Sequence, residues 1–246
     1  MVTAKGGTRG GPRRRGRPQG RTTQGRESRK RLYEVAIRLI ASHGYEATTL
    51  RDVAAEAGVS VGLLYRYFSS KRAVVLALYD ELSAEYASRA TRMPDGPWRK
   101  RFIYAMRTSL ETLRPHRSTL TALVPLLAGN PDQGLFARAT SFSRQRVQAV
   151  FVAAVSGATD APTMKLAAAM GRLLYLLHLG VLLWWLLDKS HEQRATKALV
   201  GALEHALPVA RLILRLPPAR TFIIAADLAF REALLEDLLD SPSPIR

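Results

Sequence analysis

The stretch from Thr49 to Phe68 constrains this chain more tightly than any other part of it. Leu50, Val53, Ala54 and Ala57 fall at helical spacing behind Thr49, a residue whose hydroxyl can cap a helix by accepting a backbone N–H bond. Asp52 stands in the first turn, where a negative charge suits the helix dipole. Gly58 stops that short helix, and Ser60 is a second cap, for a helix from Val61 to about Phe68. Two helices that cross at a tight turn need small residues where they meet, and Ala54, Ala57 and Gly58 provide them. Leu50, Val53, Val59 and Leu64 provide the apolar brace, with Leu39 and Ile40 beneath. Such a pair can lay its second helix in the major groove of DNA while the first crosses the backbone. An ordinary hairpin in a helical bundle has the same pattern, so pattern alone leaves both readings open.

The flanking sequence is helical too. Leu32, Val35, Ala36, Leu39 and Ile40 form an amphipathic stripe within Ser28 to His43, and Gly44 is a suitable stop. A fourth helix is expected from Lys71 or Arg72 to about Thr91, before the break at Met93 to Pro97. Helical patterns then run roughly over 98–113, 116–128, 132–156, 161–188, 191–215 and 219–239. No segment alternates with period two, so the expected fold class is all-α.

Charge separates one end of the chain from the rest. Net charge is +17, and residues 1–31 hold eleven basic residues against the single acid Glu27. Residues 1–25 are rich in Gly and Arg and poor in apolar groups, which predicts a basic disordered tail attracted to polyanions. Within it, Arg13, Arg14, Arg15 and Arg17 surround Gly16 and precede Pro18. The R-G-R-P core resembles an AT-hook, in which Gly lets the backbone sit deep in an A·T minor groove and arginines extend along it. Non-specific attraction to phosphate is the competing reading.

Several function classes are disfavoured. With no cysteine, disulfides and thiolate metal sites are impossible. The N-terminus lacks the apolar stretch of a secretory signal, and it is too rich in Gly and Pro for an amphipathic matrix-targeting helix. Leu173 to Leu187 is uncharged but only fifteen residues long and contains His178, so a core or dimer helix is expected rather than a membrane span. His43, His116, His178, His191 and His205 lack metal-ligand spacing. No phosphate-cradling glycine loop or nucleophile elbow is present. The chain is therefore expected to be no enzyme, with no catalytic residue, cofactor or metal.

From Ser28 to Leu82 the sequence resembles the N-terminal domain of TetR-family transcriptional regulators. The shared elements are Gly44-Tyr45, Thr48-Thr49, the run V-A-A-E-A-G-V-S-V-G-L-L-Y-R-Y-F from Val53 to Phe68, and Ser70-Lys71 at the fourth helix. The resemblance implies a three-helix DNA-binding domain at 26–86 and a larger helical ligand-binding and dimerisation domain at 87–246. It implies phosphate contacts from Thr49, Tyr67 and Lys71, a backbone or thymine-methyl contact from Tyr65, and Arg51 in the first turn of the second helix. Val61, Gly62 and Leu63 then form the leading edge of the recognition helix. Leu63 departs from the family's usual Thr and can touch only a thymine methyl. Arg72 stands where the family usually has an acid, and Arg66 is either a guanine reader or a phosphate-facing arginine.

The family further implies a homodimer on a palindromic double-stranded DNA operator and a small-molecule effector. The dimer helices would be 161–188 and 191–215, through Leu173, Leu174, Leu177, Val181, Leu199, Leu203, Leu207 and Ile213. Tyr104, Phe142, Tyr175, His178 and Trp184 are pocket candidates by residue type, with Phe136 and Trp185. The expected function is a cytoplasmic, nucleoid-associated repressor released from DNA by its ligand. The alternatives are a non-specific nucleic-acid-binding protein driven by the basic tail and, third, a membrane-associated protein.

Overall fold

The structure is a computed structural model, and it describes residues 23–129, 132–213 and 216–235, with the side chains of 23–24 and 210–213 also outside that set. Arg13, Arg14, Arg15 and Arg17 therefore lie outside the described residues, as do the Ile213 side chain and the acidic turn 236–240. Every regular element among the described residues is helical: α1 (Thr23–His43), α2 (Leu50–Glu56), α3 (Val61–Tyr65), α4 (Lys71–Ala90), α5 (Trp98–Leu113), α6 (Arg117–Gly129), α7 (Ser141–Ser156), α8 (Met164–Leu187), α9 (Arg194–Ile213) and α10 (Pro217–Leu234).

Three apolar clusters organise them. The first packs Leu32, Val35, Ala36 and Leu39 of α1 against Val53, Ala54, Ala57, Leu64, Phe68 and Val74. The second joins the two halves of the chain, with Ile40, Tyr45, Val75, Leu78 and Leu82 meeting Leu120, Leu123, Leu126, Trp185 and Leu186. Ile40 thus braces the junction, rather than lying beneath α2 and α3 as its place in the α1 stripe suggested. The third is the core of the larger half, around Tyr86, Phe102, Met106, Phe151, Tyr175 and Val181. At its centre α7 and α8 cross closely. A side chain at Gly171 would come within 2.5 Å of the Val152 Cα, so only glycine permits that approach.

The segment 132–156 is not one helix. α7 starts at Ser141, after a turn of 3-10 helix at Arg138–Thr140. The Thr140 hydroxyl donates towards the carbonyls of Gly134, Leu135 and Ala137, and Arg144 donates to the last two, so side chains hold this loop in irregular form. α8 has 24 residues and is long and apolar enough to cross a membrane by length and composition. The short uncharged run understated it, because the helix begins nine residues earlier. Within its length lies an ion pair, Arg172 Nη2 to Asp227 Oδ2 at 2.6 Å, tying it to α10.

Candidate functional site

The local chemistry of α2 and α3 builds an exposed face. The Thr49 hydroxyl accepts from the Asp52 backbone N–H at 3.2 Å, while the Asp52 carboxylate accepts from the Thr49 N–H at 2.8 Å. This capping box fixes the start of α2. The Thr49 hydroxyl and backbone bonds hold the Asp52 carboxyl below its ordinary range. Gly58 adopts φ +65°, a left-handed conformation that costs a glycine nothing, and the chain turns there. Ser60 then caps α3 through the Leu63 N–H at 3.2 Å.

Leu64 is fully buried and points α3 at the core, which sets what the opposite face presents. Gly62 is exposed, and a Cβ there would meet nothing within 4 Å. Tyr65 is 52% exposed. Thr49, Arg51 and Arg66 are exposed as well, and Val61, Leu63 and Tyr67 are half-buried. These eight residues lie on α2, α3 and the positions that flank them.

Lys71 is placed differently. Its ammonium donates to the Tyr45 carbonyl and sits 4.1 Å from the centre of the Tyr45 ring. It ties the start of α4 to the loop before α2. Arg72, the departure from the family pattern, donates to the Asp132 carbonyl at 2.6 Å, linking the same helix end to the loop after α6. Arg29 of α1 lies 5.0 Å above the Phe68 ring, beside the turn that follows α3.

A second feature lies inside the larger half. Five helices and the 132–140 loop line a partly open, apolar cavity of about 130 Å³. α4 contributes Tyr79, Leu82, Ser83 and Tyr86; α8 contributes Tyr175, His178, Leu179, Leu182 and Leu186. Ser109, Leu113, Leu120, Leu127, Leu135, Thr140, Ser143, Arg144 and Val147 complete the wall. Of the aromatic candidates, Tyr175 and His178 line it. Tyr104, Phe142 and Trp184 do not, and neither do Phe136 and Trp185. Residues facing the cavity from α8 repeat every three or four positions, and Trp184 falls off that repeat onto the outer surface, 51% exposed. Phe142 is 57% exposed beneath the Arg146 guanidinium. Sequence reasoning missed Arg144, Ser109 and the α4 residues, because only the packing of distant helices brings them together.

His178 is the polar centre of the wall. Its Nε2 is 2.8 Å from the Ser109 hydroxyl, its Nδ1 has no protein partner, and the rings of Tyr86, Phe151 and Tyr175 surround it. Burial pushes its pKa down to about 3, so the imidazole is neutral at physiological pH. Among the described residues, no cluster of His, Cys, Asp or Glu is placed to hold a metal ion.

Two connections join cavity and exposed face. α4 is one continuous helix, starting just after the turn that follows α3 and lining the cavity further along. Arg117 on α6 donates to the carbonyls of Trp185, Leu186 and Asp188, clasping the end of α8, and α6 in turn packs on α1.

Residues 32–78 match the family model of bacterial regulatory proteins, tetR family. The HTH-type transcriptional repressor KstR of Rhodococcus jostii is 40% identical over 74 residues, which cover 30% of this chain and 34% of that protein. An uncharacterised HTH-type transcriptional regulator, YerO of Bacillus subtilis, is 41% identical over 51 residues, 21% of this chain and 18% of that one. The chain thus matches about a third or less of these curated relatives' length. The larger half is similar in fold. A tetR-family transcriptional regulator from Streptomyces coelicolor superposes with a TM-score of 0.56 at 21% identity, over 87% of this chain and 95% of that one.

Proposed function

On the premise that residues 32–78 are a tetR-family helix-turn-helix, we propose that this protein is a homodimeric, sequence-specific transcriptional repressor that leaves its operator when a small molecule fills the cavity. The observation that carries the reading is α4. Tyr79, Leu82, Ser83 and Tyr86 line the cavity on the same helix whose first residues, Lys71 and Arg72, anchor the DNA-reading end. A ligand that favours one position of α4 changes the separation of two recognition helices in a dimer, and coupling of this kind amounts to roughly 5–150-fold in affinity.

Thr49, Arg51, Tyr65 and Tyr67 serve as backbone contacts in this reading, Val61, Gly62 and Leu63 approach the groove floor, and Arg66 is the one long donor able to read a base. Lys71 acts by holding the Tyr45 loop as well as by its charge. The dimer forms through an exposed stripe on α8, Leu177, Gly180, Leu183, Trp184 and Leu187, whose spacing follows one helix face. Val181 and Leu207, candidates from sequence, face the protomer's own core instead. The tail arginines Arg13, Arg14, Arg15 and Arg17 add a minor-groove contact, favoured by the position of α1 beside Phe68.

Selection of genomic fragments by the purified protein, followed by footprinting, tests the reading. A protected inverted repeat is the expected result, and uniform binding to any duplex would refute it. Trp184→Glu should yield a monomer in sedimentation; a variant that remains dimeric would exclude the α8 stripe.

A further inference from the structure

The larger half buries two arginines, Arg101 at 9% exposure and Arg144 at 6%. Neither pairs with a carboxylate among the described residues. A cation taken out of water without a counter-charge is costly unless its donors are satisfied. Arg101 meets that condition, because Nε, Nη1 and Nη2 donate to the carbonyls of Ala154, Pro94 and Ala153 at 3.1, 2.8 and 3.2 Å. Arg144 does not. Its protein hydrogen bonds all leave from Nη1, to Leu135 and Ala137 at 3.2 and 3.4 Å, and its only other support is the Phe136 ring 5.8 Å away.

The two also differ in what they face. Arg101 is absent from the cavity wall, and Arg144 is part of it. Otherwise the wall is predominantly apolar, its other buried polar groups being the neutral His178–Ser109 pair, Ser83, Thr140 and the Tyr79 hydroxyl, with His178 Nδ1 and the Tyr79 hydroxyl unpartnered. Arg144 acts electrostatically on the Tyr175 phenol, and the Tyr175 ring is 6.3 Å from that of His178. A buried guanidinium with unused donors, in an apolar chamber, matches a ligand with one anionic group on a hydrocarbon body.

We propose that the cavity binds a small, mostly apolar monocarboxylate, its carboxylate held by the Arg144 guanidinium and its hydrocarbon against Leu113, Leu120, Leu179 and Leu182. This rests on the cavity being the effector site. A volume of about 130 Å³ is close to that of a cavity that holds benzene, about 150 Å³. Short straight-chain and arylalkyl acids share the required chemistry.

Calorimetric titration of the full-length protein with hexanoate and phenylacetate, against hexan-1-ol and 2-phenylethanol, tests the proposal. At least one acid should bind tenfold or more tightly than its alcohol, and which acid does so identifies the hydrocarbon. Arg144→Met should abolish that preference while leaving alcohol binding in place, and Arg144→Lys should keep part of it. Circular dichroism confirms that each variant is folded, and if Arg144→Met is not, the wild-type ratio and Arg144→Lys decide. Alcohols binding as tightly as acids overturn the carboxylate and leave the cavity reading standing. Failure of all four to bind overturns both. A preference that survives Arg144→Met in the folded protein removes Arg144 from the site.

Discussion

The two halves of this molecule turn their chemistry in opposite directions. The α2–α3 face points outward, with Tyr65 half-exposed and open space around Gly62, and a few adjacent residues build it. The cavity points inward, and its wall is assembled from residues more than a hundred positions apart in sequence. An outward site can lose a side chain without disturbing the fold. An inward one cannot, because its residues are also core.

That contrast can be broken by experiment. The largest effect is expected deep in the inward half, where Phe151 is fully buried and touches the rings of Phe102, Tyr175 and His178. Phe151→Ala should cost about 3–5 kcal/mol in denaturant unfolding. Gly171→Ala, which drives a methyl group into the Val152 backbone, should cost about 1–3 kcal/mol by the same measurement.

His178 gives the inward site a pH signature. Its folded pKa, about 3, lies below its ordinary value, so the unfolded chain takes up the proton first. Its contribution to stability is complete above about pH 6.5 and declines as pH falls towards 3, by about 1.4 kcal/mol per unit. Thermal unfolding between pH 6 and 4 should approach that slope, and His178→Gln should flatten it.

On the outward face, Thr49→Ala should cost about 1 kcal/mol through the lost cap, besides weakening DNA binding. The smallest effect on stability is expected for Tyr65→Ala, within about 0.5 kcal/mol. A large loss of stability there would mean that Tyr65 is part of the core, and the contrast would fail.

The same contrast explains what the sequence revealed. Thr49, Asp52, Gly58 and Ser60 act on neighbours two to five residues away, so caps and turn were legible from spacing alone. Most helix boundaries followed from Pro and Gly breaks and from apolar periodicity for the same reason. The loop 132–140 was not legible, because Thr140 and Arg144 hold it through side-chain bonds that periodicity does not encode. Arg144 and Ser109 were not legible either, because a single arginine or serine carries no local pattern. Lys71 matched the family's lysine by position, yet its grip on the Tyr45 loop depends on how α4 packs.

The central claim, that the outward face reads a particular DNA sequence, is tested most directly by one affinity ratio. Binding of the full-length protein to its selected palindrome is compared with binding to a scrambled duplex at physiological salt. A ratio of about 10³ or more, falling sharply in Tyr65→Ala and Arg66→Ala, is the predicted result. A ratio near unity, unchanged in both variants and lost only with added salt, would place DNA binding in the basic tail and contradict the account.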